Sequence, residues 1–307
     1  MTREADAELQ MWGRMLFARA KPGPRHPGRG VPIPTADVVR REVRLAVRRA
    51  PQVMVKVTGG GRGMAVIRAH MNYIDREGNG LIDQGGERHQ GRDARREIAR
   101  QWAKEGTPIP ERSDRREAFN IMWSMPAGTD SKKLRAAVQA LAARRFACHK
   151  YVMALHTHQA NPHVHLLVRA ESDLGVRLNP RKVDLHEWRM EFAAELRQRG
   201  VEAAASRQAT RGVVKSYSPI WQVKAQGEGR LRNERPSHRV DQAALDTRAD
   251  ALRAWSGITR ALAQSDKWED RALATQMLEF VNAMPVGREG AILAQRIQKT
   301  VERGLER

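Results

Sequence analysis

The pattern of apolar and polar positions divides this chain into short alternating stretches and longer helical ones. Gln52 to Val57 alternates, with Val53, Val55 and Val57 on one side, and predicts a strand. A helix is expected over 63–76, closed by Gly78-Asn79-Gly80. Ala118 to Met125 alternates again through Phe119, Ile121 and Trp123. Pro126-Ala127-Gly128 marks a turn. Thr129 or Asp130 can cap the next helix, whose face carries Leu134, Val138, Leu141 and Arg145, flanked by Ala142 and Phe146. Two apolar runs, Tyr151 to His156 and His163 to Arg169, sit either side of Asn161-Pro162 and predict paired strands. Asp184 to Arg199 repeats apolar residues at helical spacing (Leu185, Trp188, Phe192, Leu196), and Gly200 stops it.

The flanks differ. Residues 1–50 read as a basic, mostly flexible arm, because Lys21 to Gly30 is built from proline, glycine and base. A helix from Asp37 to Arg49 is expected there as a solvated or DNA-facing element. Residues 87–116 carry mixed charge and predict a surface helix, then a loop broken by Pro108 and Pro110. Residues 216–307 read as a linker and a helical appendage with modest apolar faces (Leu245, Leu252, Trp255; Leu293, Ile297, Val301). The middle, 51–215, is the candidate catalytic domain.

Composition narrows the partners. The chain has 307 residues, 41% of them hydrophobic, so it can bury a core. Its formal net charge is +20, which predicts attraction to polyanions, nucleic acid first, and binding that weakens with salt. A single cysteine, Cys148, excludes an internal disulfide framework and a paired-cysteine zinc site. No apolar run approaches a membrane span. The acidic start (Glu4, Asp6, Glu8) lacks a basic-then-apolar signal, so a cytoplasmic location is expected. Thr58 to Gly63 is glycine-rich but lacks the Lys-Ser/Thr of a phosphate loop.

The candidate chemistry lies in the histidines. Four of the ten fall between positions 156 and 165. On a strand, His163 and His165 share a face while Val164 points to the other. A reversal at Asn161-Pro162 brings His156 alongside them. Three converging imidazoles make a metal site with positions left open for a substrate. Nitrogen donors of this kind suit Zn²⁺ or Mn²⁺ better than Mg²⁺.

The order of motifs resembles the conjugative relaxases, mobilisation nucleases of the HUH endonuclease superfamily. Ala69-His70-Met71-Asn72-Tyr73-Ile74-Asp75-Arg76 is similar to their nucleophile helix. Trp123-Ser124-Met125-Pro126-Ala127-Gly128-Thr129 resembles their middle motif, and His163-Val164-His165 their histidine pair. The likeness runs from about residue 52 to about residue 215. It implies an α+β fold: a central antiparallel sheet of about five strands bearing the histidines, with flanking helices. It implies Tyr73 as nucleophile, His156, His163 and His165 on Mg²⁺ or Mn²⁺, and a DNA contact at Ser124. Arg76, Arg181, Arg207 and Arg211 are the candidate phosphate contacts. The implied activity is site- and strand-specific nicking and rejoining at a plasmid transfer origin through a 5′-phosphotyrosine. Single-stranded or hairpin DNA would be bound, with accessory mobilisation proteins and a type IV secretion coupling protein as further partners. One position departs from the pattern: His158 stands where the family usually has an acid. Asp75 or His158 itself is then the candidate for the orienting or acid–base role.

Tyr151 lies an odd number of residues from His156, on the opposite strand face, and reads as packing. Tyr217 falls in the linker. A phenol has a pKa near 10, so a nearby cation or base must activate it. The rivals are a catalytically impaired DNA-binding remnant, a rolling-circle replication initiator, and a zinc hydrolase unrelated to DNA. Tyr73 preceding the histidines argues against the initiator, and the basic charge argues against the hydrolase.

Overall fold

A computed structural model describes residues 2–17, 34–75, 78, 80–213, 226–230 and 242–284. In chain order the elements are α1 (Thr2–Phe17), α2 (Ala36–Val47), β1 (Met54–Gly59), α3 (Met64–Ile74), β2 (Leu81–Asp83), β3 (Arg88–His89), α4 (Gly91–Lys104), β4 (Ala118–Ser124), α5 (Ser131–Arg145), β5 (Tyr151–His156), β6 (His163–Arg169), α6 (Lys182–Gln198), α7 (Gln242–Ala263) and α8 (Trp268–Asn282). The chain divides into two units, one of residues 50–205 and one of 1–49 with 206–307.

Unit 50–205 is built on a six-stranded sheet in the order β1-β4-β6-β5-β2-β3, with every pair antiparallel. The expected fold class stands, with one strand more than anticipated. The β2–β3 hairpin has no signature in the sequence: its strands hold three and two residues, too short to show alternation in a charged stretch. On one sheet face, Val53, Val55, Ile121, Trp123, Val164, Leu166 and Val168 pack against α5 and α6. The predicted stripes supply the covering residues: Leu134, Val138 and Leu141 from α5, and Trp188, Phe192 and Leu196 from α6. Trp123 meets Phe192 edge-on at 5.4 Å between ring centroids. Asp130 caps α5 by accepting from the backbone amides of Lys132 (2.8 Å) and Lys133 (3.1 Å).

On the other face, α3 and α4 cover one half of the sheet. Met64, Ile67, Met71, Ile74, Ile98 and Trp102 pack on Ala118, Val152, Ala154 and Leu167. The β1 end of that face lies open, with Met54, Lys56 and Thr58 exposed. α3 starts at Gly63, whose φ is +97° and whose missing Cβ leaves room for the Glu111 backbone.

The second unit corrects the reading of the N-terminal region as an arm. α1 and α2 are buried helices: Leu9, Leu16, Val39, Val43 and Ala46 form one core with Trp255, Ile258, Leu262, Leu273 and Met277 of α7 and α8. α7 and α8 are likewise no separate appendage, because they complete the core of the first helices. The basic arm segment 21–30 and the expected helical face at Leu293, Ile297 and Val301 lie outside the described residues. At the centre of this unit Arg40 donates to Asp270 (Nε–Oδ1 and Nη2–Oδ2, both 2.9 Å) and to Asp6 (2.7 Å), while Ser265 donates to Asp270 (2.7 Å). Burial alone would raise the pKa of Asp270; the hydrogen bonds from Arg40 and Ser265 outweigh it and lower it. Arg40→Met strands a buried carboxylate, so thermal unfolding should register a loss of roughly 3–5 kcal/mol. An unchanged melting temperature would show that the ion pair is structurally neutral.

Candidate active site

The antiparallel register of β5 and β6 sets the histidines together. His156 lies directly opposite His163, and Ala154 opposite His165. On the far side of β6, Ser124 faces His163 and Met122 faces His165. Cross-strand neighbours on one face stand about 5 Å apart, so the trio is a direct product of strand alternation and one turn. All three histidines are buried. Their ring centroids lie 4.8–5.2 Å apart, and one ligand nitrogen from each falls within 4.8 Å of the others.

Backbone carbonyls fix two of the rings. His156 Nε2 stands 2.7 Å from the Ile74 carbonyl, and His163 Nδ1 stands 3.0 Å from the Asn161 carbonyl. A carbonyl only accepts, so those nitrogens carry the protons. In the neutral rings the lone pairs then belong to Nδ1 of His156 and Nε2 of His163. A carbonyl holding the second nitrogen of each ring is the support expected around metal-ligating histidine. The donor set fits a divalent transition ion.

Tyr73 stands at the rim on the last turn of α3. Its ring is 5.9 Å from that of His165 and edge-on to it, and the residue is 47% exposed. The site therefore has buried histidines and an accessible phenol side by side. His70, one turn earlier, stacks on Tyr73 at 5.8 Å and meets His165 at 6.2 Å. Burial pushes the His70 imidazole below the ordinary histidine pKa, with Asn120 pulling the other way, which favours the neutral ring. His158 is exposed, with its ring 5.3 Å from His156 and 6.2 Å from His163.

Other anticipated site residues have structural employment. Asp75 is buried and pairs with Arg95, and its carboxylate also accepts from the Gly80 amide at 2.8 Å. An acid–base role would require breaking that pairing. The Ser124 hydroxyl donates to the Pro162 carbonyl at 3.2 Å, latching the turn before His163. Arg207 belongs to the helical unit, where it donates to the carbonyls of Met15 (3.0 Å) and Leu16 (2.7 Å) at the end of α1. Arg211 is half-buried in the same unit. Arg181 is exposed at the start of α6. Arg76 and Tyr217 lie outside the described residues. Tyr151 packs in the core on the opposite face, as its odd spacing requires.

Sequence reading passed over Lys56. The alternation that marked Val53, Val55 and Val57 as inward also marks Met54, Lys56 and Thr58 as outward. The register puts Met54 beside Ser124 and Lys56 beside Met122 on the histidine face. A second group with ligand-like geometry, Asp83, Glu87 and His89, closes the β2–β3 hairpin. There Asp83 accepts from the amides of Gly85 and Glu87 (2.9 Å each) and lies 2.7 Å from His89 Nε2, contacts that serve the turn.

Residues 72–200 match the family profile of the relaxase MobA/VirD2-like nuclease domain. That interval begins one residue before Tyr73 and encloses the three histidines. The T-DNA border endonuclease VirD2 of Agrobacterium fabrum is 29% identical over 184 residues, covering 53% of this chain and 41% of that protein. The chain thus spans about two-fifths of that relative's length. Among the described residues, no helix is long and apolar enough to cross a membrane. Five of the six strands of the histidine-bearing sheet, β2 to β6, fall within the matched interval, and this part of the chain is therefore similar to the relaxase MobA/VirD2-like nuclease domain.

Proposed function

We propose that this chain nicks and rejoins one DNA strand at a plasmid transfer origin, with Tyr73 as nucleophile and His156, His163 and His165 holding a divalent ion. The observation that carries the reading is the accessible Tyr73 ring at 5.9 Å from a buried histidine of the trio. A bound Mg²⁺, Mn²⁺ or Zn²⁺ would supply a Lewis acid for the scissile phosphate. Tyr73 does the covalent work. Its phenolic oxygen attacks phosphorus in line, the O–P bond forms, and the bond from phosphorus to the 3′ oxygen breaks. The phenol loses its proton and the departing 3′ oxygen gains one. The energy of the phosphodiester stays in the 5′-phosphotyrosine, so the 3′ hydroxyl can later reverse the step without an external energy source.

The exposed row of Met54, Lys56 and Thr58 gives the strand a place to lie beside the histidines, and the +20 charge favours its approach. Transfer-origin DNA, accessory mobilisation proteins and a type IV coupling protein, in a cytoplasmic setting, belong to the same reading. His158 in the position usually held by an acid favours one rival, a binding protein with impaired chemistry. Supercoiled plasmids carrying candidate origins decide between them. Metal-dependent nicking with a protein-linked 5′ end supports the enzyme. Salt-sensitive binding without cleavage supports the rival.

Lys56→Glu should weaken binding of a single-stranded oligonucleotide and flatten the slope of log affinity against log salt by about 0.7. Fluorescence anisotropy across a salt series measures this. An unaltered slope would remove Lys56 from the DNA path.

A further inference from the structure

The last turn of α3 carries the phenol and is anchored to α4 and to β5. Helix C-termini leave orphan carbonyls and fray first. Tyr73 is 47% exposed, with its ring against His70 and His165, and the backbone of that turn sets where the ring can reach. Four contacts hold that turn, three through side chains and one through its backbone. Arg95 of α4 donates from Nε to Asn72 Oδ1 at 3.2 Å. The same guanidinium pairs with the buried Asp75 carboxylate, which also accepts from the Gly80 amide at 2.8 Å. His156 donates from Nε2 to the Ile74 carbonyl at 2.7 Å. Residues 72, 74 and 75 are therefore tied while Tyr73 between them is left accessible. The cation also sits at the negative end of the helix dipole.

We propose that Arg95 is a positioning residue for Tyr73. It holds the final turn of α3 so that the phenol stays in register with the histidines. This rests on the reading of Tyr73 as nucleophile. Arg95 acts through Asn72 and Asp75 and does not itself touch the reacting atoms. The Ile74 carbonyl links the same turn to a ligand histidine, so the clamp and the trio share one piece of backbone.

The test uses the full chain as Arg95→Gln, Arg95→Lys and the double variant Asp75→Asn/Arg95→Gln. Amide hydrogen exchange is read by mass spectrometry on peptides covering 71–75 and 131–145. Cleavage kinetics are read on a single-stranded oligonucleotide that the wild type cuts. Arg95→Gln should speed exchange at 71–75 by about tenfold or more while α5 is unchanged. Its kcat should fall by about 10–100-fold with KM within about twofold, because misplacement of the nucleophile costs rate and not binding. Arg95→Lys keeps the charge and should recover much of the kcat. Should Arg95→Gln fail to fold, the double variant removes the buried charge with its partner and should show the same local exchange and the same kcat loss.

Unchanged exchange at 71–75, an equal rise in both peptides, or a rise in KM alone each overturns the proposal. If the wild type cuts no DNA, the nicking function falls, and the exchange comparison alone decides whether Arg95 holds the turn.

Discussion

Tyr73→Phe should leave DNA binding and folding intact and remove the covalent adduct. The substitution deletes one oxygen from a half-exposed ring. The ring contacts to His70 (5.8 Å) and His165 (5.9 Å) survive, so stability should move by no more than about 0.5 kcal/mol. On the proposed function the chemistry does not survive, because no other group on that turn can form a phosphodiester with DNA. Nicking should drop by roughly 10⁶-fold, the scale seen when a nucleophile is deleted from an otherwise whole site. The measurement is an SDS-resistant protein–oligonucleotide band labelled at the 5′ end of the cut strand. A band of undiminished intensity in the phenylalanine variant would move the nucleophile elsewhere, with Tyr217 next in line.

The second large effect concerns the ion. His163 stands between Ser124 and His156 in the sheet, and its Nδ1–H is held by Asn161. On the proposed function His163→Ala removes a ligand, and it leaves the strand pairing intact. Loss of a supporting partner around a ligand already costs about 10–100-fold in metal affinity, so loss of the ligand itself should cost at least that. Titration calorimetry with Mn²⁺ and with Zn²⁺ reads it directly, and chelation of the wild type should abolish nicking in parallel. Equal affinity in the variant and the wild type would place the ion away from the trio.

Much of the site was legible in the sequence because it is local. Three histidines on two strands joined by an Asn-Pro turn converge through strand period and register alone, and both can be read from spacing. The stripe from Leu185 to Leu196 was legible for the same reason. What escaped was non-local or short. Arg95 and Asp75 lie 20 positions apart on different helices, and nothing in either segment announces the pairing. Arg207, in a basic loop, reads from sequence as a phosphate contact. Only the fold shows that its guanidinium closes the end of α1, 192 residues away for the Met15 contact. Ser124 likewise reads as an available hydroxyl until the Pro162 carbonyl arrives beside it. α1 was hidden by its many polar residues and by the proline- and glycine-rich stretch after it. Its buried positions, Leu9 and Leu16, are sparse and acquire meaning only with Trp255 and Ile258 in place. Lys56 is the outward complement of the inward-facing valines, and among 55 lysines and arginines a single one carries no signal of its own.

The interleaved helical unit bears on how this polypeptide emerges from the ribosome. Leu9, Leu16, Val39 and Val43 are made early, yet their partners in α7 and α8 are translated about two hundred residues later, so the early helices wait with greasy faces uncovered while the histidine sheet is already able to close. Excising the nuclease as a stand-alone fragment therefore calls for cuts near 50 and 205, whereas trimming one end alone would orphan half of a shared interior and invite aggregation.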